Sequence, residues 1–427
     1  MDTAGGLKEV HGFVDDVRDL GGIMFIKLNT FNGYVQVTIR KKDADPKLLE
    51  TATAITRQSC IRVFGLERED PTRKGRMEVI PERIEVLSTS AVPLPVDPSG
   101  KTMAELDTRL DWRSLDLRSQ KPKAVFKVQS AIMEGMSEYF FNLGFVKVFT
   151  PSLMGSASES GSELFTVKYY DREAFLRQDP QLHRELAIVG GLERIFEIGP
   201  SWRAELSHTR WHLSEHRTCA AEISYIKDES DVMKAEEEMV KNIFKKVKKT
   251  CKADLEELGV EIEVPKTPFP VLKFPDLYGI LESLGKKTVH GEDYDKEGEE
   301  LLGKYVKEKY RSDFFFVDKF PFAVKPFYVM RYDGEPEWAR SIDLIYKGVE
   351  LSSGGQREHR YDVLMRQIAE KKMNPEILEW FTKFFKYGSP TMGGFSIGIE
   401  RLTMQILGLK NIKEAVLFPR DVERLLP

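Results

Sequence analysis

The chain has 427 residues, long enough for roughly two to three domains with a large buried core. Its 64 Lys and Arg against 68 Asp and Glu leave a formal net charge of -4, so bulk charge neither demands nor excludes a nucleic-acid partner, which would have to bind a local patch. Three scattered cysteines, Cys60, Cys219 and Cys251, support neither a disulfide framework nor a cysteine zinc site, and no run approaches the roughly 18 apolar residues of a membrane span. The opening MDTAGGLKEVHGFV lacks the architecture of a secretion signal, and a reducing cytoplasm is the expected setting.

Through residue 88 the chain reads as five short alternating strands, HGFVDDV, IMFIKL, YVQVTI, CIRVFGL and MEVIPERIEVL, separated by turn formers such as Asn32-Gly33. Five strands in this space predict a small barrel. The proline-rich stretch TSAVPLPVDPSGK from Thr89 to Lys101 reads as a linker. Next, Val125, Val128, Ile132, Met136 and Phe140 recur at helical spacing, predicting a helix from about Lys123 to Leu143, stopped by Gly144. FVKVFT then reads as a strand running into Pro151. A second amphipathic helix is expected over Glu229 to Lys249, with Lys245, Lys246, Lys248 and Lys249 on a solvated face. Beyond residue 310, FFFVDKFP, KPFYVMRY, SIDLIYKGVELSSGG and GGFSIGIERL read as strands, interleaved with a helix around Tyr361 to Lys371. Helices and strands alternate without regular βαβ spacing, which favours an α+β domain.

No P-loop or dinucleotide fingerprint is present, so nucleotide chemistry would need other parts. Three segments concentrate Arg and paired acids. In Trp202-Arg203-Ala204-Glu205, an Arg at a strand end can fork onto a phosphate while the acid two residues on accepts from an amino group. In SIDLIYKGVELSSGG, Asp343, Glu350 and Ser353 offer the oxygen donors that Mg²⁺ takes, with structural hydrogen bonding as the alternative. In GGFSIGIER, closely spaced glycines allow close backbone approach to a ligand and deliver Arg401 to a helix start.

In this order the segments resemble class II aminoacyl-tRNA synthetases, most closely the archaeal and eukaryotic type of aspartyl-tRNA synthetase. GFVKVFTP resembles the family's dimer-forming motif 1, WRAE its motif 2 and GGFSIGIER its motif 3. The resemblance implies an N-terminal OB-fold β-barrel (1–88), a linker (89–104) and a class II synthetase catalytic domain built on an antiparallel sheet flanked by helices (105–427). It implies a homodimer that uses ATP and Mg²⁺ to make aspartyl-adenylate and passes the aspartyl group to tRNA(Asp). Arg203 would hold the ATP α-phosphate and the amino-acid carboxylate, Glu205 the adenine amino group, His216 the adenine face and Arg401 the γ-phosphate or adenine. Asp343, Glu350 and Ser353 match the magnesium ligands in spacing, with Glu350 also beside ATP and Ser353 beside the amino acid. Gln181, Arg184 and Arg357 match the amino-acid pocket, the last two as a clamp on the side-chain carboxylate, and Glu159 matches an acid on a mobile loop that meets the ammonium. In the barrel, Phe25 and Gln36 match anticodon-reading positions, with Arg18 and Arg83 as further RNA contacts.

The chain departs from the family pattern in places. Asp179 stands where the family has serine, Ala220 where it has aspartate, Arg184 where it has lysine, and SHTRWHLSE leans toward archaeal asparaginyl enzymes. Asp179 is expected to restore near the ammonium the charge that Ala220 gave up. A tryptophan often found near Lys27 in members charging one tRNA is absent, which leaves tRNA(Asn) open as a second acceptor. Three rivals remain: an asparaginyl-tRNA synthetase or an asparagine-forming relative, a non-catalytic paralogue that binds tRNA or ATP, and a zinc hydrolase built on His208, His212 and His216.

Overall fold

The computed structural model describes residues 7–70, 77–155 and 164–427, so Glu159 lies outside the described residues. The chain forms two compact units, Met1–Ala124 and Val125–Leu426.

The first unit is a five-stranded barrel of β1 (Leu7–Asp19), β2 (Ile23–Thr30), β3 (Gly33–Arg40), β4 (Cys60–Glu69) and β5 (Met77–Ser88), closed in the order β1-β2-β3-β5-β4. Strict alternation explains the closure: Met24, Ile26, Leu28, Val37, Ile39, Ile61, Val63 and Val79 all point inward and are buried. Register shifts after Val14 and Phe64 supply the bends. A helix at Pro46–Ala54 joins β3 to β4, a feature the sequence reading missed although Asp45 caps it and Pro46 opens it. Residues after the proline-rich stretch pack onto this unit: Asn29 Nδ2 donates to the Arg118 carbonyl at 2.5 Å, and Lys123 Nζ reaches Asn29 Oδ1 at 2.8 Å.

The second unit adds β6 (Val146–Lys147), β7 (Leu153–Met154), β8 (Thr166–Tyr169), β9 (Arg172–Leu176), β10 (Arg194–Trp202), β11 (Glu215–Ser224), β12 (Val271–Lys273), β13 (Phe314–Pro321), β14 (Arg331–Tyr332), β15 (Glu335–Tyr346), β16 (Val349–Arg357) and β17 (Met392–Gly398). Its large sheet runs β12-β13-β15-β16-β17-β11-β10-β6, with β14 on β15, and is antiparallel except at β12–β13 and β6–β10. The helices Gln120–Asn142 and Glu229–Thr250 cover one face and bury Val128, Ile132, Phe140, Met239, Ile243 and Phe244 against Phe196, Ala221, Phe395 and Ile397. Lys246 is not a solvated cation as expected; it joins the two helices through Glu134 and Glu138, both at 2.7 Å. KPFYVMRY, expected as a strand, contributes only Arg331–Tyr332 and a bridge at Val329, because Pro326 lacks the N–H a ladder needs.

Phe140 is fully buried and stacked on Phe196 at 4.9 Å, so Phe140→Ala should cost about 3–5 kcal/mol of stability in denaturant unfolding. Glu236, buried beneath β16, accepts from the Ser352 hydroxyl, and burial, with Asp343 adding to it, pushes its carboxyl up from 4.5 to about 8. The folded chain therefore keeps a proton that the unfolded chain releases, and this stabilisation, full below about pH 4.5, is lost as pH rises toward 8. Thermal melts of Glu236→Gln across pH 5 to 8, a range set by that shift, should show a flatter decline than wild type.

Candidate functional site

Five strands carry the site on the face of the large sheet opposite the helices Gln120–Asn142 and Glu229–Thr250. Their register sets Glu197, Ala220, Ser396, Ser353 and Asp343 in one row across β10, β11, β17, β16 and β15. A second row holds Glu222, Gly394, Gly355 and Ser341. Because side chains alternate faces, the intervening Ala221, Phe395 and Ile397 go to the helix-covered core. A cavity of about 350 Å³ opens on this face, and Asp179, Gln181, Arg203, Glu205, His216, Glu350, Ser353, Arg357 and Arg401 all line it. Asp343 and Arg184 do not line it.

At one end of the cavity, Arg203 follows β10 directly, its N–H bonded to the Ser214 carbonyl at 3.0 Å, and its Nη1 lies 3.2 Å from Glu205 Oε1. His216 stands on β11 opposite Ser201. Burial, then the Arg203 and Arg401 guanidiniums, push its imidazole down to about 4, so the ring is neutral at physiological pH. A flat, uncharged ring between two cations suits a stacked base beside a polyphosphate. Arg401 sits in the first turn of the helix Ile399–Leu407 and donates to the Glu350 carbonyl at 2.9 Å, which ties motif 3 to β16. The glycines leading to it divide their roles. A Cβ at Gly394 would meet the Ala221 carbonyl at 2.0 Å and the Glu222 carboxylate at 2.5–2.6 Å, so this glycine serves sheet packing rather than ligand approach, whereas Gly398 meets only Arg401 Cβ, at 3.6 Å, and lines the cavity.

The three histidines do not converge. Residues 203–214 form no helix, His216 is in a strand, His208 faces Glu423 at 3.7 Å and His212 meets Ser207 at 3.0 Å. Among the described residues no cluster of three His, Cys, Asp or Glu could hold a metal, which removes the basis of the zinc-hydrolase rival.

Glu350 and Ser353 are three residues apart and would face opposite sides of a regular strand. A bulge solves this: Leu344 pairs with Ser352 and Ile345 with Glu350, leaving Leu351 as the extra residue, so both side chains share the sheet face of Asp343. Burial first and the Asp343 carboxylate second push Glu350 up to about 7. Two carboxylates in conflict beside a hydroxyl form a hard oxygen donor set whose chemistry fits Mg²⁺. Sequence reading missed Lys325, which lines the cavity and holds Asp343 at 3.3 Å. It lies in a loop before Pro326 and carries no periodic signal.

The opposite end is a buried network of charges. Arg184 Nη2 contacts both Asp179 oxygens, at 2.7 and 2.8 Å, and Gln181 Oε1 at 3.0 Å. Burial alone would lower the Arg184 pKa, and Asp179 and Glu222 more than reverse that effect. Arg357 Nη2 donates to Glu222 Oε1 at 2.8 Å, and Gln181 Nε2 bridges Glu222 at 2.6 Å and Glu185 at 3.0 Å. Glu185 is pushed up to about 8, mainly by burial, and is protonated at neutral pH. Both expected clamp cations thus carry a protein carboxylate.

On the barrel, Phe25 lies opposite Arg18 on β1 and Thr38 on β3, and Gln36 lies opposite Lys27, so Arg18, Phe25 and Gln36 share the outer surface. Gln36 Nε2 donates to Thr38 Oγ1 at 3.3 Å, and Arg18 Nε to Asp16 at 3.0 Å. Arg83 is set apart: it stacks over Phe64 at 4.1 Å and pairs with Glu85, further along β5 from the Gln36–Glu78 pair.

Comparison with known proteins agrees with this geometry. The family model for class II tRNA synthetases (D, K and N) matches residues 105–422, and that for the OB-fold nucleic acid binding domain matches 9–87. The aspartate–tRNA(Asp) ligase of Pyrococcus horikoshii is 45% identical over 98% of this chain and 96% of its own. The aspartate–tRNA(Asp/Asn) ligase of Methanopyrus kandleri is 44% identical over 97% of this chain and 95% of its own. Among solved structures, asparaginyl-tRNA synthetase from Pyrococcus horikoshii complexed with asparaginyl-adenylate superposes with a TM-score of 0.92 at 31% identity, covering 99% of this chain and 97% of that one. From the barrel to the terminal helix, the chain belongs to the class II tRNA synthetases of the D, K and N group.

Proposed function

We propose that this chain is an aspartate–tRNA ligase, acting in the cytoplasm as a homodimer on tRNA(Asp), with tRNA(Asn) as a second acceptor to be tested. The observation that carries this reading is the single cavity with Arg203, His216 and Arg401 at one end and Gln181 and Arg357 at the other, in a chain similar along its length to aspartate–tRNA ligases. In the first step the aspartate α-carboxylate attacks the α-phosphate of ATP and pyrophosphate leaves; in the second the 3'-terminal hydroxyl of tRNA takes the aspartyl group. Neither step needs a protein nucleophile. Arg203 draws charge from the α-phosphate as the fifth bond forms, Arg401 neutralises the leaving pyrophosphate, and His216 with Glu205 holds the adenine. Asp343, Glu350 and Ser353 would hold Mg²⁺, which when bound would supply positive charge against the phosphates. Lys325 balances Asp343 from the protein side.

The dimer reading is supported by the stretch from β6, the terminal strand of the large sheet, to β7, along which Val146, Phe149 and Leu153 are exposed. No helix among the described residues is long and apolar enough to cross a membrane. An asparagine-specific enzyme is the second reading, favoured by the carboxylates already on Arg184 and Arg357. The catalytic residues of both readings are present, which argues against a non-catalytic paralogue.

ATP–pyrophosphate exchange with Mg²⁺ should proceed with aspartate and, if the second reading holds, with asparagine instead; exchange with neither, with or without tRNA, contradicts both. Arg203→Ala and Arg401→Ala should each lower the exchange rate at least about a hundredfold. Phe25→Ala should raise the KM for tRNA while leaving tRNA-free exchange unchanged, because base stacking contributes on the order of 1–3 kcal/mol.

A further inference from the structure

The amino-acid end holds a cation that the cavity cannot reach. Arg184 is 1% exposed and absent from the cavity wall, whereas Asp179, its bidentate partner, is on that wall with a side chain 26% exposed. The carboxylate therefore stands between the guanidinium and any ligand. Around it the charges cancel: Asp179 opposes Arg184, Glu197 opposes Arg177 at 2.8 Å, and Glu222 opposes Arg357. Glu197 lies 4.0 Å from Arg184 Nη1, too far to replace Asp179 as a hydrogen-bonded partner.

We infer that the Asp179 carboxylate occupies on Arg184 the place of a substrate carboxylate, so that Asp179 sets how the pocket discriminates between an acidic side chain and its amide. An incoming carboxylate engages Arg184 only after displacing Asp179, and until then it meets a like charge. A neutral amide meets no such repulsion and gains nothing from the displacement. Asp179 is thus an internal competitor for aspartate alone. This role rests on the aminoacylation reading above and differs from the expected one, contact with the substrate ammonium, which acid and amide share.

The test uses Asp179→Asn, which keeps the shape and removes the charge, and the smaller Asp179→Ser. In ATP–pyrophosphate exchange each variant should lower the KM for aspartate about tenfold, with kcat unchanged and the KM for asparagine unmoved. Adding Arg184→Met to either should abolish the gain. Thermal melts give a readout independent of catalysis: saturating aspartate should raise the Tm of Asp179→Asn more than that of wild type, and asparagine should raise both equally. A rise in KM shared by aspartate and asparagine would overturn the inference in favour of an ammonium contact, and no change in either KM would overturn it outright. Wild-type exchange with neither amino acid would instead sink the aminoacylation reading on which the inference stands.

Discussion

The candidate site depends on the hydrogen-bonding register of one antiparallel sheet. Five strands from three separate stretches of the chain place Glu197, Ala220, Ser396, Ser353 and Asp343 side by side because each is paired with the next. Period-two alternation then sends every second residue into the core beneath the helices Gln120–Asn142 and Glu229–Thr250, so core packing and site geometry are fixed by the same bonds. A one-residue slip of β16 would bury its polar side chains. The slip that does occur, at Leu351, brings Glu350 and Ser353 to the same side.

The cost of this arrangement is a sheet floored with charge. Buried acids are accommodated in two ways. Glu185 and Glu236 hold protons and act as neutral groups, Glu236 taking the Ser352 hydroxyl and Glu185 the Gln181 amide. Glu197 and Glu222 remain paired with Arg177 and Arg357. The nucleotide end is different in character. There burial, with the guanidiniums of Arg401 and of Arg203, itself paired with Glu205, keeps His216 neutral. One face thus joins a pocket of paired charges to an end where two guanidiniums act on a neutral ring.

Much of this was legible in the sequence where local periodicity decides structure. The barrel strands alternate cleanly from Met24 through Val79, and the spacing from Val125 to Phe140 marks the first long helix to within three residues of its start. The motifs around Arg203, Glu350 and Arg401 lead to one cavity because Arg203 follows the end of β10, Glu350 stands near the start of β16 and Arg401 lies in the first turn of a helix. What was not legible depends on partners remote in sequence. Nothing local to Arg184 reveals that Asp179 and the sheet enclose it, nothing near Gly394 reveals the Glu222 carboxylate against it, and the bulge at Leu351 exists only in pairing with β15. Regular histidine spacing at 208, 212 and 216 misleads for the same reason, since the backbone there is not helical.

On the aminoacylation reading one face of the sheet binds both halves of an aminoacyl-adenylate at once. Calorimetric titration with a non-hydrolysable sulfamoyl analogue of aspartyl-adenylate tests it directly, beside ATP and aspartate titrated separately. The joined molecule should bind at least about a hundredfold more tightly than either part, since one cavity spans both sites. Binding no tighter than that of the nucleotide alone would contradict it.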